Sequence, residues 1–315
     1  MKKVVIIGAG QMGRAVRKLL NPNKIEFLGF ADNDSSKWTS LSVEGEAPES
    51  GSNGCESTAA PGVTGGDRVF SVKAGVDMNP DMIIISVMGD ERARALKEQV
   101  RVCRFYGDIL FLNELKDIFD IRSRCIMELA ERVAGVDGAV AELGVYKGDT
   151  AVLLNGLFPS RPLYLFDTFQ GFDERDIAAE QQGSPLHSEL SLSHAKAGDF
   201  GDTSVEGVLS RMPYPDRCIV RKGYFPETAS DLSDSEFAFV SIDPDLYEPA
   251  LAGLRFFYDR LNAGGVIVLH DYNNTQFKGI KKAVAKFEEE LAAAGQPPLK
   301  LVPLGDLHGS CVIVK

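Results

Sequence analysis

The 315-residue sequence has little that would tie it to a membrane, to nucleic acid or to an oxidising compartment. No stretch approaches the roughly 20 consecutive apolar residues of a membrane-spanning helix. Lys and Arg number 34 against 45 Asp and Glu, a formal charge of −11, and they never gather into a basic run. Nucleic acid and anionic membrane surfaces are therefore poor candidate partners. The five cysteines (Cys55, Cys103, Cys125, Cys218, Cys311) are odd in number and lack CxxC spacing. That argues against a disulfide frame or zinc site and for reduced thiols in a cytoplasmic protein. The opening MKKVVIIGAGQMG has two lysines and an apolar run, as a signal peptide would. The run is only Val4 to Ile7 and breaks into glycines without a cleavage site, so it reads as a first strand.

What is present is enough chain for two domains, each with its own core. The most informative stretch is FAFVSIDPDLYEPALAGLRFFYDRLNAGGVIVLHDYNN, beginning at Phe237. Two apolar runs, Phe237 to Ile242 and Val266 to Leu269, each end in acid: Asp243 and Asp245 after the first, Asp271 after the second. Between them Leu251, Leu254, Phe257, Tyr258 and Leu261 recur at helical spacing, and Gly264-Gly265 are expected to close that helix. Strand, crossover helix and parallel strand would bring the three acids to one rim, where open α/β sheets bind ligands. Carboxylates gathered there suit a hard divalent cation or a general base. Helix capping and solvated strand ends are the plainer alternative.

In the first domain, expected over residues 1–108, Val4 to Ile7 runs into Gly8-Ala9-Gly10-Gln11-Met12-Gly13 and an amphipathic helix. These glycines permit the tight turn and the approach of a ligand phosphate to a helix N-terminus. A second strand, Glu26 to Ala31, ends in Asp32, about where a dinucleotide fold places its ribose-binding acid. A Rossmann-like half-domain that binds NAD(P) or another nucleotide is expected, with a structural or protein-contact role as the alternative. Residues 40–67, rich in Gly, Ser, Pro and Glu, read as a mobile loop. Residues 109–135 carry apolar residues at helical spacing and read as a helical linker.

The second domain, expected over 136–315, opens with AVAELGVYKGDT, a strand, glycine turn and helix containing Glu142, Gly144 and Gly148. The next strand, Leu163 to Phe166, ends in Asp167, an acid that can accept bonds from a ribose diol. An acid-plus-glycine turn followed by this second acid forms a cradle for S-adenosylmethionine, as in class I methyltransferases. A bare tight turn with a helix-capping Asp167 is the alternative. Residues 173–202, with His187 and His194, read as a lid; the two histidines are too far apart in sequence for a single-turn metal pair. Leu299 to Val302 and Ser310 to Val314 are expected to form a final antiparallel pair in a seven-stranded, mostly parallel, doubly wound sheet.

AELGVYKGDTA, YLFDTFQGF, VRKGYFPET, SIDPDLYEPAL and GGVIVLHDYNN, in that order, closely resemble the macrocin O-methyltransferase family over roughly residues 125–315. The resemblance implies a class I fold, S-adenosylmethionine as donor, a sugar-hydroxyl acceptor on a small molecule or glycan, and a divalent metal, Mg2+ or Mn2+. It implies Asp243 and Asp271 as metal carboxylates, Asp245 as general base, and Glu142, Gly144 and Asp167 as cofactor contacts. The family commonly has Asp-Asp-Tyr where this chain has His270-Asp271-Tyr272. His270 is thus either a metal ligand favouring manganese, iron or zinc, or no ligand, or a sign that no metal binds. An NAD-dependent oxidoreductase using the first glycine turn and a non-catalytic assembly protein are the rival readings. A homo-oligomer is compatible with either.

Overall fold

The computed structural model describes residues 1–39, 68–87, 89–118, 120–181, 195–273, 278–307 and 309–315. The segment 40–67 and, within the expected lid, residues 182–194 with His187 and His194 lie outside the described residues. Two compact units divide the chain, Met1–Phe119 and Asp120–Lys315.

The first unit runs β1 (Lys2–Ile7), α1 (Gln11–Leu19), β2 (Ile25–Ala31), β3 (Val69–Phe70), α2 (Val72–Asp77), β4 (Met82–Ile85), α3 (Asp90–Val102), β5 (Asp108–Phe111) and α4 (Leu112–Ile118). Its five strands pair in parallel in the order β3-β2-β1-β4-β5. The order reverses at β1, creating the crevice beside its carboxyl end where doubly wound sheets bind ligands. Val5, Ile7, Ile83 and Ile85 form the centre of its core.

Residues 109–135 are not one helical linker. Asp108 to Phe111 pair with β4, in register from Met82↔Asp108 to Ile85↔Phe111, and so belong to the first sheet. Only α5 (Ile121–Arg132) passes to the second unit. Ile109, Leu110 and Phe111 abut Leu112 and Leu115, so their apolar spacing satisfies a helix as well as a buried strand. Pairing with β4 decides between the two.

The second unit continues with β6 (Ala139–Leu143), α6 (Asp149–Leu157), β7 (Leu163–Asp167), α7 (Glu174–Gln181), α8 (Val205–Leu209), β8 (Cys218–Lys222), β9 (Phe237–Ile242), α9 (Tyr247–Arg260), β10 (Leu261–Leu269), α10 (Gly279–Ala293), β11 (Lys300–Pro303) and β12 (Cys311–Val314). Seven strands pair in the order β11-β12-β10-β9-β6-β7-β8, with β12 antiparallel to both neighbours. The class I methyltransferase fold is therefore present. Alternation along the strands sorts the core into two layers. Leu143, Phe166, Val240, Ile242, Ile267 and Leu269 pack with Leu254, Phe257, Val284 and Phe287 of α9 and α10. Val140, Leu165, Phe239 and Val268 pack with Ile126, Leu154 and Val208 of α5, α6 and α8.

Gly264-Gly265 do not end the crossover helix. α9 stops at Arg260, and Leu261 is already extended. The glycines lie within β10, where Gly264 has φ +84° and the ladder to β9 shifts between Leu261 and Val266. Glycine frees a strand to bulge as readily as it ends a helix.

Central strands finish level. Leu143 and Leu269 both pair with Ile242, Asp243 N–H donates to Leu143 O at 2.8 Å, and His270 N–H donates to Ile242 O at 2.9 Å. Gly144 (φ +86°) lies so close to the end of β9 that a Cβ would overlap the Asp243 carbonyl oxygen. Gly144→Ala is expected to destabilise the second unit by about 2–5 kcal/mol from left-handed strain plus overlap. The unit's melting temperature should fall by roughly 5–15 °C. An unchanged melting curve would contradict this close approach.

Candidate active site at the carboxyl rim of the second sheet

Because β9 and β10 end level, the residues that follow them converge. Asp243 Oδ1 lies 2.7 Å from His270 Nδ1, and Asp271 Oδ1 lies 3.3 Å from the same nitrogen. Ligand atoms of Asp243, His270 and Asp271 all fall within 4.8 Å of one another. Asp245 joins them by a hydrogen bond between its carboxyl group and that of Asp271. Both acids have left-handed backbone, φ +60° at Asp245 and +58° at Asp271. Aspartate tolerates this conformation better than most residues, and paired outliers on adjacent loops are typical of sites where geometry is imposed.

The charges are held out of water. Asp271 and Glu142 are each 2% exposed. Burial would lower the His270 pKa, but the Asp243 charge and its hydrogen bonds to Asp243 and Asp271 overcome this and push it up to about 10. The ring is therefore an imidazolium when no other cation stands there. Burial first, then the Asp243 and Asp271 charges, raise Asp245 well above the usual carboxylate range. Burial likewise raises Glu142, with the Arg122 charge opposing and the Asp243 charge adding to the rise.

The donor set fits a divalent cation. Two carboxylate oxygens and an imidazole nitrogen lie within 4.8 Å of one another, beside the buried Asp245 carboxyl group. An oxygen–nitrogen set of this kind suits manganese, iron or zinc better than magnesium.

The glycine turn expected to cradle a cofactor adjoins this cluster, since Gly144 lies against Asp243. Glu142 Oε2 is buried without a hydrogen-bond partner among the described residues, and so keeps acceptor capacity for a ligand. Asp167 is more heavily engaged than a free ribose acceptor: Oδ2 accepts from Val145 N–H at 2.7 Å and Tyr146 N–H at 2.9 Å, and Oδ1 from Phe169 N–H at 2.6 Å. Its carboxylate braces the glycine turn and keeps one lone-pair direction for a hydroxyl. Gly148 (φ +84°) is the N-cap of α6 and lies against Val208, closing the turn without facing the acid cluster.

Parts of the expected lid are fastened to this rim. Glu180 of α7 accepts from Tyr247 N–H at 2.9 Å, at the start of α9. Farther along, Asp202 accepts from Tyr146 O–H at 2.8 Å and pairs with Lys147 at 2.6 Å, while Phe200 packs edge-on against Tyr146.

In the first unit the glycines have three distinct situations. Gly8 has φ +103°, a Cβ at Gly13 would overlap the Gly8 carbonyl oxygen, and nothing stands within 4 Å of a Cβ at Gly10. Asp32 Oδ2 accepts from Ala9 N–H at 2.9 Å and from Lys37 at 3.2 Å, and its Oδ1 accepts from Asp34 N–H at 3.0 Å.

Sequence reasoning did not single out Arg122. Its Nη2 pairs with Asp243 Oδ2 at 3.0 Å, giving that carboxylate a cation on each oxygen. In DIRSRCIMELAER, Arg122 looks like Arg124, a charge on the polar face of an amphipathic helix, and no motif distinguishes them.

Residues 120–297 match the family described as macrocin-O-methyltransferase (TylF). A curated relative is the 8-demethyl-8-(2,3-dimethoxy-alpha-L-rhamnosyl)-tetracenomycin-C 4'-O-methyltransferase of Streptomyces olivaceus, 25% identical over 44% of this chain and 54% of its own length. Another is the demethyldecarbamoylnovobiocin O-methyltransferase of Streptomyces niveus, 26% identical over 47% of this chain and 58% of its own length. The chain thus spans little more than half of these relatives. The solved structure of the O-methyltransferase NovP has the same fold, with a TM-score of 0.50 and 22% identity over 62% of this chain and 79% of that one.

Asp167→Ala should both weaken S-adenosylhomocysteine binding and destabilise the second unit by about 2–4 kcal/mol, since three amides lose their acceptor. Calorimetric titration and thermal melting check the two effects. Weakened binding with an unchanged melting curve would reduce Asp167 to a ligand contact.

Proposed function

The chain belongs to the macrocin-O-methyltransferase family, and from that premise we propose that it transfers a methyl group from S-adenosylmethionine to a hydroxyl of a sugar or glycosylated metabolite. The observation that carries the reading is the convergence of Asp243, His270, Asp271 and Asp245 beside the Gly144 turn. A rhamnosyl group in the substrate named for one relative supports a glycosylated acceptor.

When bound, S-adenosylmethionine would supply an electrophilic methyl carbon on a sulfonium, with the thioether as leaving group when the acceptor oxygen takes the methyl. A divalent cation at Asp243, His270 and Asp271 would supply Lewis acidity to the acceptor hydroxyl and offset the negative field that raises Asp245. Asp245 is the general base that takes the hydroxyl proton. Burial and the neighbouring Asp243 and Asp271 charges raise its proton affinity, which makes it a stronger base than an ordinary carboxylate. Arg122 holds Oδ2 of Asp243 while His270 meets Oδ1, and this would leave Oδ1 as the oxygen offered to a bound cation. Alignment of acceptor oxygen, methyl carbon and sulfur by the rim contributes several kcal/mol more, on the order of 5–10.

A separate reading attaches to the first unit. The open position at Gly10, between packed Gly8 and Gly13, supports a phosphate-bearing nucleotide approaching the start of α1. Titration of the full chain with NADH tests it: micromolar binding that Gly10→Val abolishes is expected, and no binding would leave the unit a structural or contact module.

Asp245→Asn should lower kcat by about 100- to 10,000-fold while S-adenosylhomocysteine affinity changes little. Turnover within a few-fold of wild type would remove Asp245 from the base role. After chelation, activity should return with Mn2+ in preference to Mg2+, and His270→Asp should shift that preference towards Mg2+. Full activity of the chelated protein would eliminate the cation.

A further inference from the structure

The proposed base stands on an unusual piece of backbone. Asp245 has φ +60°, and Leu246 N–H donates to Pro244 O at 2.6 Å, so the three residues form a γ-turn with Asp245 at its centre. The positive-φ form of this turn is rare and strained, and such conformations persist only where the surroundings over-determine them. On the β9 side the sheet does so, through the Asp243 N–H bond to Leu143 O at 2.8 Å. On the other side the turn leads straight into α9, whose N-cap is Leu246. Leucine has no side-chain acceptor to offer the orphan amides of the first turn.

Glu180 supplies that acceptor from 67 residues away in sequence. Its Oε1 accepts from Tyr247 N–H at 2.9 Å, at the first residue of α9, where a helix also favours negative charge. The bond is enclosed, since a Cβ on Gly279, the first residue of α10, would lie 2.9 Å from Tyr247 N and 3.1 Å from Glu180 Oε1. α7, which carries Glu180, packs against α9 and is fixed again one turn earlier. There Asp176, 6% exposed, accepts from Tyr224 O–H at 2.8 Å, in the loop after β8. Arg175 lies 3.5 Å over the Tyr224 ring and pairs with Asp173 and Glu227, each at 2.9 Å. Two acids at i and i+4 of one helix thus tie the loop after β8 to the loop after β9.

We propose that Glu180 is a positioning residue for Asp245: by capping α9 across the chain, it clamps the far side of the γ-turn and holds the Asp245 carboxyl group at that of Asp271. This deepens the reading of Asp245 as general base and rests on it. A displacement of about 1 Å at a reacting group can cost on the order of 100-fold in rate, so a base on a strained turn needs both of its flanks held.

The test compares Glu180→Ala and Glu180→Gln with wild type in the full chain. It reads hydrogen exchange at the Tyr247 amide, the crystal structure, and methyl transfer from S-adenosylmethionine to p-nitrophenyl α-L-rhamnoside, a probe with neighbouring hydroxyls. Glu180→Ala should speed Tyr247 exchange about 10- to 100-fold, the loss of a bond to a charged acceptor. In its structure Asp245 should leave the left-handed conformation and part from Asp271. Its kcat should fall about 10- to 100-fold while S-adenosylhomocysteine affinity and KM for S-adenosylmethionine stay within about twofold. Glu180→Gln keeps the acceptor oxygen and should recover most of each loss. Unchanged exchange at Tyr247 in Glu180→Ala, or an Asp245 contact with Asp271 that survives in its structure, would overturn the clamp. So would equal defects in the two variants. If wild type leaves the rhamnoside unmethylated, exchange and structure decide alone. Asp245→Asn, assayed beside them, separates the two claims. Retained turnover there sinks the base role and the positioning with it, whereas turnover lost in Asp245→Asn but full in Glu180→Ala removes Glu180 alone.

Discussion

The register of three parallel strands is the constraint on which the rest of the second unit depends. Leu143, Ile242 and Leu269 lie in line, so Gly144, Asp243 and His270 leave the sheet at the same height. A slip of one residue on β9 would invert its faces, sending Val240 and Ile242 away from the α9–α10 layer and Asp243 away from His270. Burial of β9 along all six residues makes that slip prohibitive. The hydrophobic core thereby fixes the site: apolar packing on both faces sets the register, and the register sets where the acids stand.

At that rim the protein gathers charges that water would otherwise separate. Asp243 bears the load, with Arg122 on one oxygen and His270 on the other, while its main chain fills the space Gly144 leaves. Asp245 and Asp271 are brought together by loops in left-handed conformation. Such an arrangement is unfavourable locally and persists because the surrounding sheet and helices over-determine it. The same low-dielectric setting strengthens every interaction a bound ligand would make.

One device recurs in both units. In the first, Asp32 after β2 accepts from the Ala9 amide in the turn after β1. In the second, Asp167 after β7 accepts from the Val145 and Tyr146 amides in the turn after β6. An acid at the end of the second strand thus braces the glycine turn after the first, whatever ligand lies above. The first glycine of each turn, Gly8 and Gly144, is filled by the main chain of a neighbouring strand end, at Ser86 and at Asp243, whereas Gly10 has open space around it.

Much of this was legible in the residues. Apolar runs ending in acid at Asp243, Asp167 and Asp271, and glycine turns at Gly8–Gly13 and Gly144–Gly148, are local patterns whose chemistry follows from spacing and strand direction. By itself the sequence determined the alternation of strand and helix, the doubly wound class and the acids that would share a rim. Tertiary structure alone decided the rest. It assigned Asp108–Phe111 to a sheet although their spacing suits a helix, because pairing with β4 satisfies backbone groups that no local pattern reveals. It turned Gly264-Gly265 into part of a strand, since β9 offered a partner there. It also drew Arg122 from an unremarkable helix face to Asp243, 121 residues away. Local periodicity encodes which face of an element is apolar, whereas a buried polar contact depends on which distant group arrives opposite it, and only the packed chain determines that.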